Sequence, residues 1–177
     1  SQLTTQLLPA LDLDRCDYVL AAPRQGLLDD REALLEAHPA VQPRLLVLDE
    51  TGDHDDFGSG QAFDLVLLST DDLDLADADR LFGVLRQRLA GGGLVVLLGQ
   101  FPDRWLDLVF GLREDWWTIE GGRYTPARAG TPSDWEGLAA RHGFGRVAAL
   151  QDVPGVDASS YLLLLRNRNG AGALVEA

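Results

Sequence analysis

The sequence predicts an α/β protein with a mainly parallel sheet and helices on both faces. Three features carry the expectation. Short runs such as Phe63-Asp64-Leu65-Val66-Leu67-Leu68-Ser69 and Leu94-Val95-Val96-Leu97-Leu98 lack the polar alternation of half-exposed strands, the habit of strands covered on both sides. Between the runs lie segments with apolar residues at helical spacing. Loops rich in Gly, Asp and Pro separate strand from helix in repeating order, which is the signature of a helix-covered sheet rather than a sandwich.

Taken in order, residues 4–11 read as the end of a helix that begins at or before Ser1. Residues 16–22, closed by Pro23, form a first strand. Residues 27–38 place Leu27, Leu28, Leu34 and Leu35 on one face and acids with Arg31 on the other, an amphipathic helix. Residues 44–49 are a second strand, and residues 50–61 a solvated loop rich in Gly, Asp, Ser and His. After the strand at 63–69 a helix from about Ala76 to Ala90 carries Leu81, Phe82, Val84, Leu85 and Leu89, with Gly91-Gly92-Gly93 ending it before the strand at 94–98. Trp105, Leu108, Val109 and Leu112 then recur on one helical face, and Gly111 with the acidic turn after Leu112 stops that helix. Residues 121–131 are a polar excursion containing Tyr124 and Pro126. Ser133-Asp134-Trp135-Glu136 has the form of a capping box opening a helix that closes at Gly143. Residues 146–152 and 160–166 are two closing strands joined across Pro154-Gly155, the last a candidate antiparallel neighbour, and the tail from Asn167 is expected to fray. With no internal repeat and no dividing linker, residues 1–177 read as a single domain.

Composition narrows the function. The chain has 177 residues, 46% of them hydrophobic, enough for one domain with a sizeable core. A net charge of −13 argues against nucleic acid and anionic membrane surfaces as partners, since phosphates are met by Lys and Arg. All 15 basic residues are arginine, which reads as coding bias in a GC-rich genome. The single Cys16 excludes an internal disulfide and a cysteine-based zinc cluster. No apolar run has the length of a membrane span and no signal-peptide pattern is present, so a cytoplasmic location is expected. A chain without Met, whose Ser1 already stands in helix-like sequence, reads as a piece of a longer polypeptide.

The most specific stretch is Arg104-Trp105-Leu106-Asp107-Leu108-Val109-Phe110-Gly111-Leu112-Arg113-Glu114-Asp115-Trp116-Trp117, which follows Pro102-Asp103. Written R-W-L-D-L-x-F-G-L-x-x-x-W-W, it resembles the segment after the fifth strand in the carbon-methyltransferase domains of polyketide synthases, which reads close to R-W-L-D-L-x-F-G-L-x-x-G-W-W. The resemblance covers residues 4–117 in detail and the remainder at the level of fold. It implies the Rossmann-like class I methyltransferase fold, and here a form in which the first strand and its glycine-rich loop have no counterpart in the sequence.

The resemblance also implies where working residues would stand. Thr4-Thr5-Gln6-Leu7-Leu8-Pro9-Ala10-Leu11 matches the end of a family pattern V-L-E-I-G-A-G-T-G-G-T-T followed by A-L-L-P-A-L, but Gln2 and Leu3 replace its last two glycines. Those glycines let backbone amides approach S-adenosylmethionine. The acid that would hold the ribose hydroxyls is replaced by Ala22, in Tyr18-Val19-Leu20-Ala21-Ala22-Pro23. Asp49 matches the acid near the adenine, a vestigial match that reads as a loop or capping residue before it reads as a cofactor ligand. Leu73 stands where the family's catalytic His belongs, and Gly99 is nearest to the Glu that orients it. Neither could move a proton.

Nothing else in the sequence supplies a replacement. His38 and His142 fall at helix ends and suit exposed roles. His54, in Asp53-His54-Asp55-Asp56, reads as solvated surface before it reads as a metal ligand. Asp71-Asp72-Leu73-Asp74, with Asp77 and Asp79, reads as a polar approach to a helix, Cys16 as packing, and Gly91-Gly92-Gly93 as a turn without a phosphate-binding helix behind it.

The expectation is a non-catalytic pseudo-methyltransferase, a structural domain within a polyketide synthase module, with no cofactor and no metal. Its partners would be the neighbouring dehydratase and ketoreductase domains and the acyl carrier protein. The alternative is an active S-adenosylmethionine-dependent carbon-methyltransferase acting on a carrier-bound β-ketoacyl chain.

Overall fold

The computed structural model describes residues 2–22, 31–45, 62–70, 73, 75–101, 117–120, 123–126, 130–151 and 160–168. They fall in two compact units, Ser1–Ser59 and Gly60–Ala177, each described by itself. The expected loop at 50–61 lies outside the described residues. So do the tryptophan segment from Pro102 to Trp116 and the tail beyond Arg168.

In the first unit, α1 (Gln2–Leu7) tightens into a 3-10 turn over Leu8–Ala10. Pro9 suits that turn because its missing N–H falls where a helical turn leaves donors unpaired. Thr4 and Leu8, one turn apart on the same face, are both buried. β1 (Tyr18–Ala22) runs parallel to β2 (Val41–Leu45), with α2 (Glu32–Ala37) in the connection. β2 starts three residues before the expected strand at 44–49. Pro43, opposite Leu20, lacks a donor, but among the described residues β2 pairs only with β1, and an edge strand tolerates such a gap.

The second unit is built on a four-stranded sheet in the order β3-β4-β8-β7. Its elements are β3 (Phe63–Ser69), α3 (Leu75–Arg88), β4 (Leu89–Gln100), α4 (Pro132–Arg141), β7 (Phe144–Gln151) and β8 (Ser160–Asn167). β3 and β4 are parallel; β8 is antiparallel to both β4 and β7. The expected polar excursion is instead an antiparallel hairpin, β5 (Trp117–Glu120) against β6 (Arg123–Pro126), where Thr118, Ile119, Tyr124 and Thr125 have the β-branched and aromatic shapes strands favour.

Burial follows period two in the sheet and helical spacing outside it. Val95 and Leu97 on β4 and Tyr161, Leu163 and Leu165 on β8 are buried, whereas Leu94, Val96 and Leu98 are half-buried. Ala78, Leu81, Phe82 and Leu85 give α3 one inward stripe; Trp135, Leu138 and Ala139 do the same for α4. The expectation that β3 is covered on both faces is not met among the described residues. None of its seven residues is fully buried, and Leu65 is 51% exposed, because β3 is the last strand on its side of this sheet.

Three boundaries are corrected. Gly91-Gly92-Gly93 lie inside β4 rather than in a turn before it. Two steps along β3, from Phe63 to Leu65, are matched by five along β4, from Leu89 to Leu94, so the glycines form a bulged entry, with Gly92 at a φ of +80°. The capping box belongs to Thr131, not Ser133: Asp134 accepts from the Thr131 N–H at 2.8 Å while the Thr131 hydroxyl accepts from the Asp134 N–H. Asn167 is not frayed. It is 2% exposed and its Nδ2 donates to the Leu89 carbonyl at 3.2 Å, tying the end of β8 to the start of β4.

α3 meets the end of α4 through His142, whose Nε2 stands 2.9 Å from Asp79 Oδ1 and whose ring stacks with Phe82 at 6.5 Å. Arg141 adds a looser contact at 3.4 Å. The hydrogen bond from His142 is the main reason the Asp79 carboxyl sits below its ordinary value of 3.8; burial opposes this, and the charges of His142 and Arg141 add to it. A lowered carboxylate stabilises the fold above its unfolded pKa, and that contribution is lost as pH falls through the folded value. Urea unfolding of the wild type and Asp79→Asn at about pH 5 and about pH 3 should therefore show the wild type's advantage shrinking on the acid side. An equal gap at both pH values would contradict the pairing.

Candidate functional site

The residues expected to mark a methyltransferase site divide between the two units. In the first, Gln2 and Leu3 lie in α1, already helical, rather than in a loop whose amides could face a ligand. Ala22 is the last residue of β1, at its carboxyl end, where ligands of open α/β sheets bind. A methyl side chain accepts no hydrogen bond from a ribose hydroxyl. Asp49 lies outside the described residues.

In the second unit, Leu73 follows the carboxyl end of β3, and Gly99 is the next-to-last residue of the adjacent parallel strand β4. The chain leaves β3 through Thr70, whose N–H donates to the Leu98 carbonyl at 3.0 Å, and turns so that the Leu73 N–H bonds the Thr70 carbonyl at 3.2 Å. Leu73 is 6% exposed. Its side chain is therefore shielded from solvent.

Gly99 faces Tyr161 directly across the antiparallel β4–β8 pair. A Cβ built on Gly99 would collide with the Tyr161 ring and its hydroxyl. The ring rests on the bare backbone, with Phe101 tilted against it at 4.9 Å between centroids. Its hydroxyl donates to the Gly130 carbonyl at 2.6 Å, just before the N-cap of α4. Gly130 in turn is backed by Trp135, whose Nε1 would lie 2.7 Å from a Cβ at that position. Burial drives the Tyr161 phenol far above its ordinary pKa, opposed by the Trp135 N–H and reinforced by the Asp134 charge. That indole N–H is buried and finds no acceptor at full hydrogen-bond geometry. Tyr161 can donate a hydrogen bond, but it is not a base near neutral pH.

The remaining candidates are placed as follows. His38 caps α2, its backbone N–H on the carbonyls of Leu34 and Leu35. His142 is not an exposed helix-end charge: it is only 22% exposed and holds Asp79. Cys16 is exposed rather than packed. Asp77 pairs with Arg80 at 3.1 Å. Asp71, Asp72, Asp74 and His54 lie outside the described residues. Among the described residues no three metal-ligating side chains converge, and no helix is long and apolar enough to cross a membrane. Tyr161, Trp135 and Gly130 went unmarked in the sequence. A glycine directly opposite an aromatic is the signal for them, and it needs the strand register to be read.

No family model matches the chain. The polyketide methyltransferase ustM of Ustilaginoidea virens is 42% identical over 83 residues, covering 46% of this chain and 18% of that protein. The solved CurJ carbon methyltransferase superposes with a TM-score of 0.68 at 20% identity, over 93% of this chain and 45% of its own. The trans-methyltransferase CalH, solved with SAH, gives 0.71 at 21% identity, over 93% and 48%. The CMeT domain of the citrinin polyketide synthase gives 0.66 at 18% identity, over 93% and 43%. The fold is that of the class I methyltransferases. The chain spans less than half the length of these solved structures and under a fifth of ustM.

The Leu73 site gives a direct test. Leu73→His should lower stability by about 2 kcal/mol or more, because it exchanges a buried leucine side chain for a polar imidazole. Urea midpoints measure the loss. A variant of unchanged stability whose new imidazole titrates as a solvent-exposed group would show that position 73 is open.

Proposed function

We propose that the chain serves polyketide assembly as a carbon-methyltransferase-type domain, whose reaction is transfer of a methyl group from S-adenosylmethionine to a carrier-bound β-ketoacyl chain. The observation that carries this reading is the 42% identity over 83 residues to a polyketide methyltransferase, a likeness in sequence as well as fold. On this reading the proton between the two carbonyls is taken by a group other than positions 73 and 99, and the cofactor site draws on residues beyond α1 and β1.

A second reading is favoured by the chain's own residues. Leu73 is buried, and the space at Gly99 is filled by the Tyr161 ring. Ala22 offers no carboxylate. These support a domain that keeps the fold for its shape, a pseudo-methyltransferase that holds dehydratase and ketoreductase neighbours apart while an acyl carrier protein visits them.

Calorimetric titration with S-adenosylmethionine, followed by incubation with a β-ketoacyl carrier thioester, separates the two. The first reading expects binding in about the micromolar range and a product heavier by one methylene. A folded chain giving neither saturable heat nor product leaves the structural role.

A further inference from the structure

We propose that Tyr161 decides what the carboxyl end of β4 can carry: with its ring on Gly99, a side chain at position 99 and an aromatic ring at position 161 exclude each other. The geometry stands on its own, and its meaning for proton transfer rests on the methyltransferase-type reading above.

The two residues are direct cross-strand partners, so register allows neither to move away from the other without breaking the β4–β8 ladder that continues from Leu98↔Leu162 to Leu94↔Arg166. The ring is held from three further sides. Phe101 tilts against it, the Gly130 carbonyl accepts a hydrogen bond from its hydroxyl, and the Trp135 indole lies behind Gly130. Tyr161 is 1% exposed, so the ring has no solvent-filled space into which it could swing. Gly99 is therefore more than an absent acid. Its lack of a side chain is what admits the phenol, and the phenol keeps any carboxylate from returning. Glycine under an aromatic cross-strand neighbour is also how a sheet recovers burial at a position with no side chain of its own.

The test uses the full chain and melting temperature as the readout. Gly99→Ala should lower Tm by at least about 5 °C in the wild-type background, since overfilling a packed site forces ring or strand to shift. In the Tyr161→Val background the same substitution should cost under about 1 °C. Tyr161→Phe keeps the ring and loses only the hydroxyl, so Gly99→Ala should remain costly there; this pair also serves if Tyr161→Val does not fold. Equal cost of Gly99→Ala in the wild-type and Tyr161→Val backgrounds, or a cheap Gly99→Ala beside Phe at 161, overturns the proposal. A second readout is chemical. Gly99→Glu together with Tyr161→Val should fold and gain a pH-dependent stability that Tyr161→Val alone lacks, whereas Gly99→Glu with Tyr161 in place should be strongly destabilised. A stable Gly99→Glu single variant with Tyr161 still buried by its fluorescence would sink the idea. None of these measurements involves the methyl donor, so failure of the enzymatic reading leaves their outcome unchanged.

Discussion

The reversal of β8 between β4 and β7 is the constraint on which the second unit depends. An antiparallel strand among parallel ones fixes the register of two ladders at once, and it does so with alternating side chains: Tyr161, Leu163 and Leu165 enter the core beside Val95 and Leu97. Each such burial contributes about 1.5–3 kcal/mol. A one-residue slip would turn all of these side chains to the other face, so the register is strongly held. The two ends of β8 are then committed as well. Asn167 reaches the Leu89 carbonyl at the bulged entry of β4, and Tyr161 is delivered over Gly99 at its exit.

That delivery connects packing to function. The carboxyl ends of parallel strands are where this class of sheet places its chemistry. In this chain the exit of β4 is closed by a ring whose hydroxyl is already bonded, and the turn after β3 buries Leu73. The same sheet geometry that makes the fold recognisable among methyltransferases therefore brings apolar and aromatic groups to the places where the resemblance puts a base and its orienting acid.

Much of this was legible in the sequence, and the rest was hidden for identifiable reasons. β3 was readable to its ends because Phe63 and Ser69 bound a run that is apolar from Leu65 to Leu68. α3 was readable from its stripe, and α4 from the capping residues at its start and Gly143 at its end. The start of β4 was not, because three consecutive glycines have the composition of a turn, and only pairing with Phe63 makes them a bulge. The capping box was ambiguous: Ser133 with Glu136 and Thr131 with Asp134 have the same form, and Pro132, which fits the first helical position, favours Thr131. Tyr161 over Gly99, and His142 with Asp79, join residues more than sixty positions apart. Register and helix packing bring them together, and neither is written in local periodicity.

Whether Tyr161 could itself handle the proton of a methyl transfer is decided by its packing. Burial holds its phenol protonated, so it can serve only as a donor, for instance to an oxygen that becomes an enolate. Its one proton is already given to the Gly130 carbonyl at 2.6 Å. Redirecting it would leave that carbonyl without its partner in a buried setting, at a cost of about 1–3 kcal/mol. It would also require the ring to leave the surface of Gly99. A donor that must break its own packing before it can meet a substrate is poorly arranged for catalysis, which depends on groups held ready before the reaction begins. If methyl transfer occurs in this chain, the proton must leave through some other residue; in the described part of the site, Tyr161 is a structural group and Gly99 is the position that accommodates it.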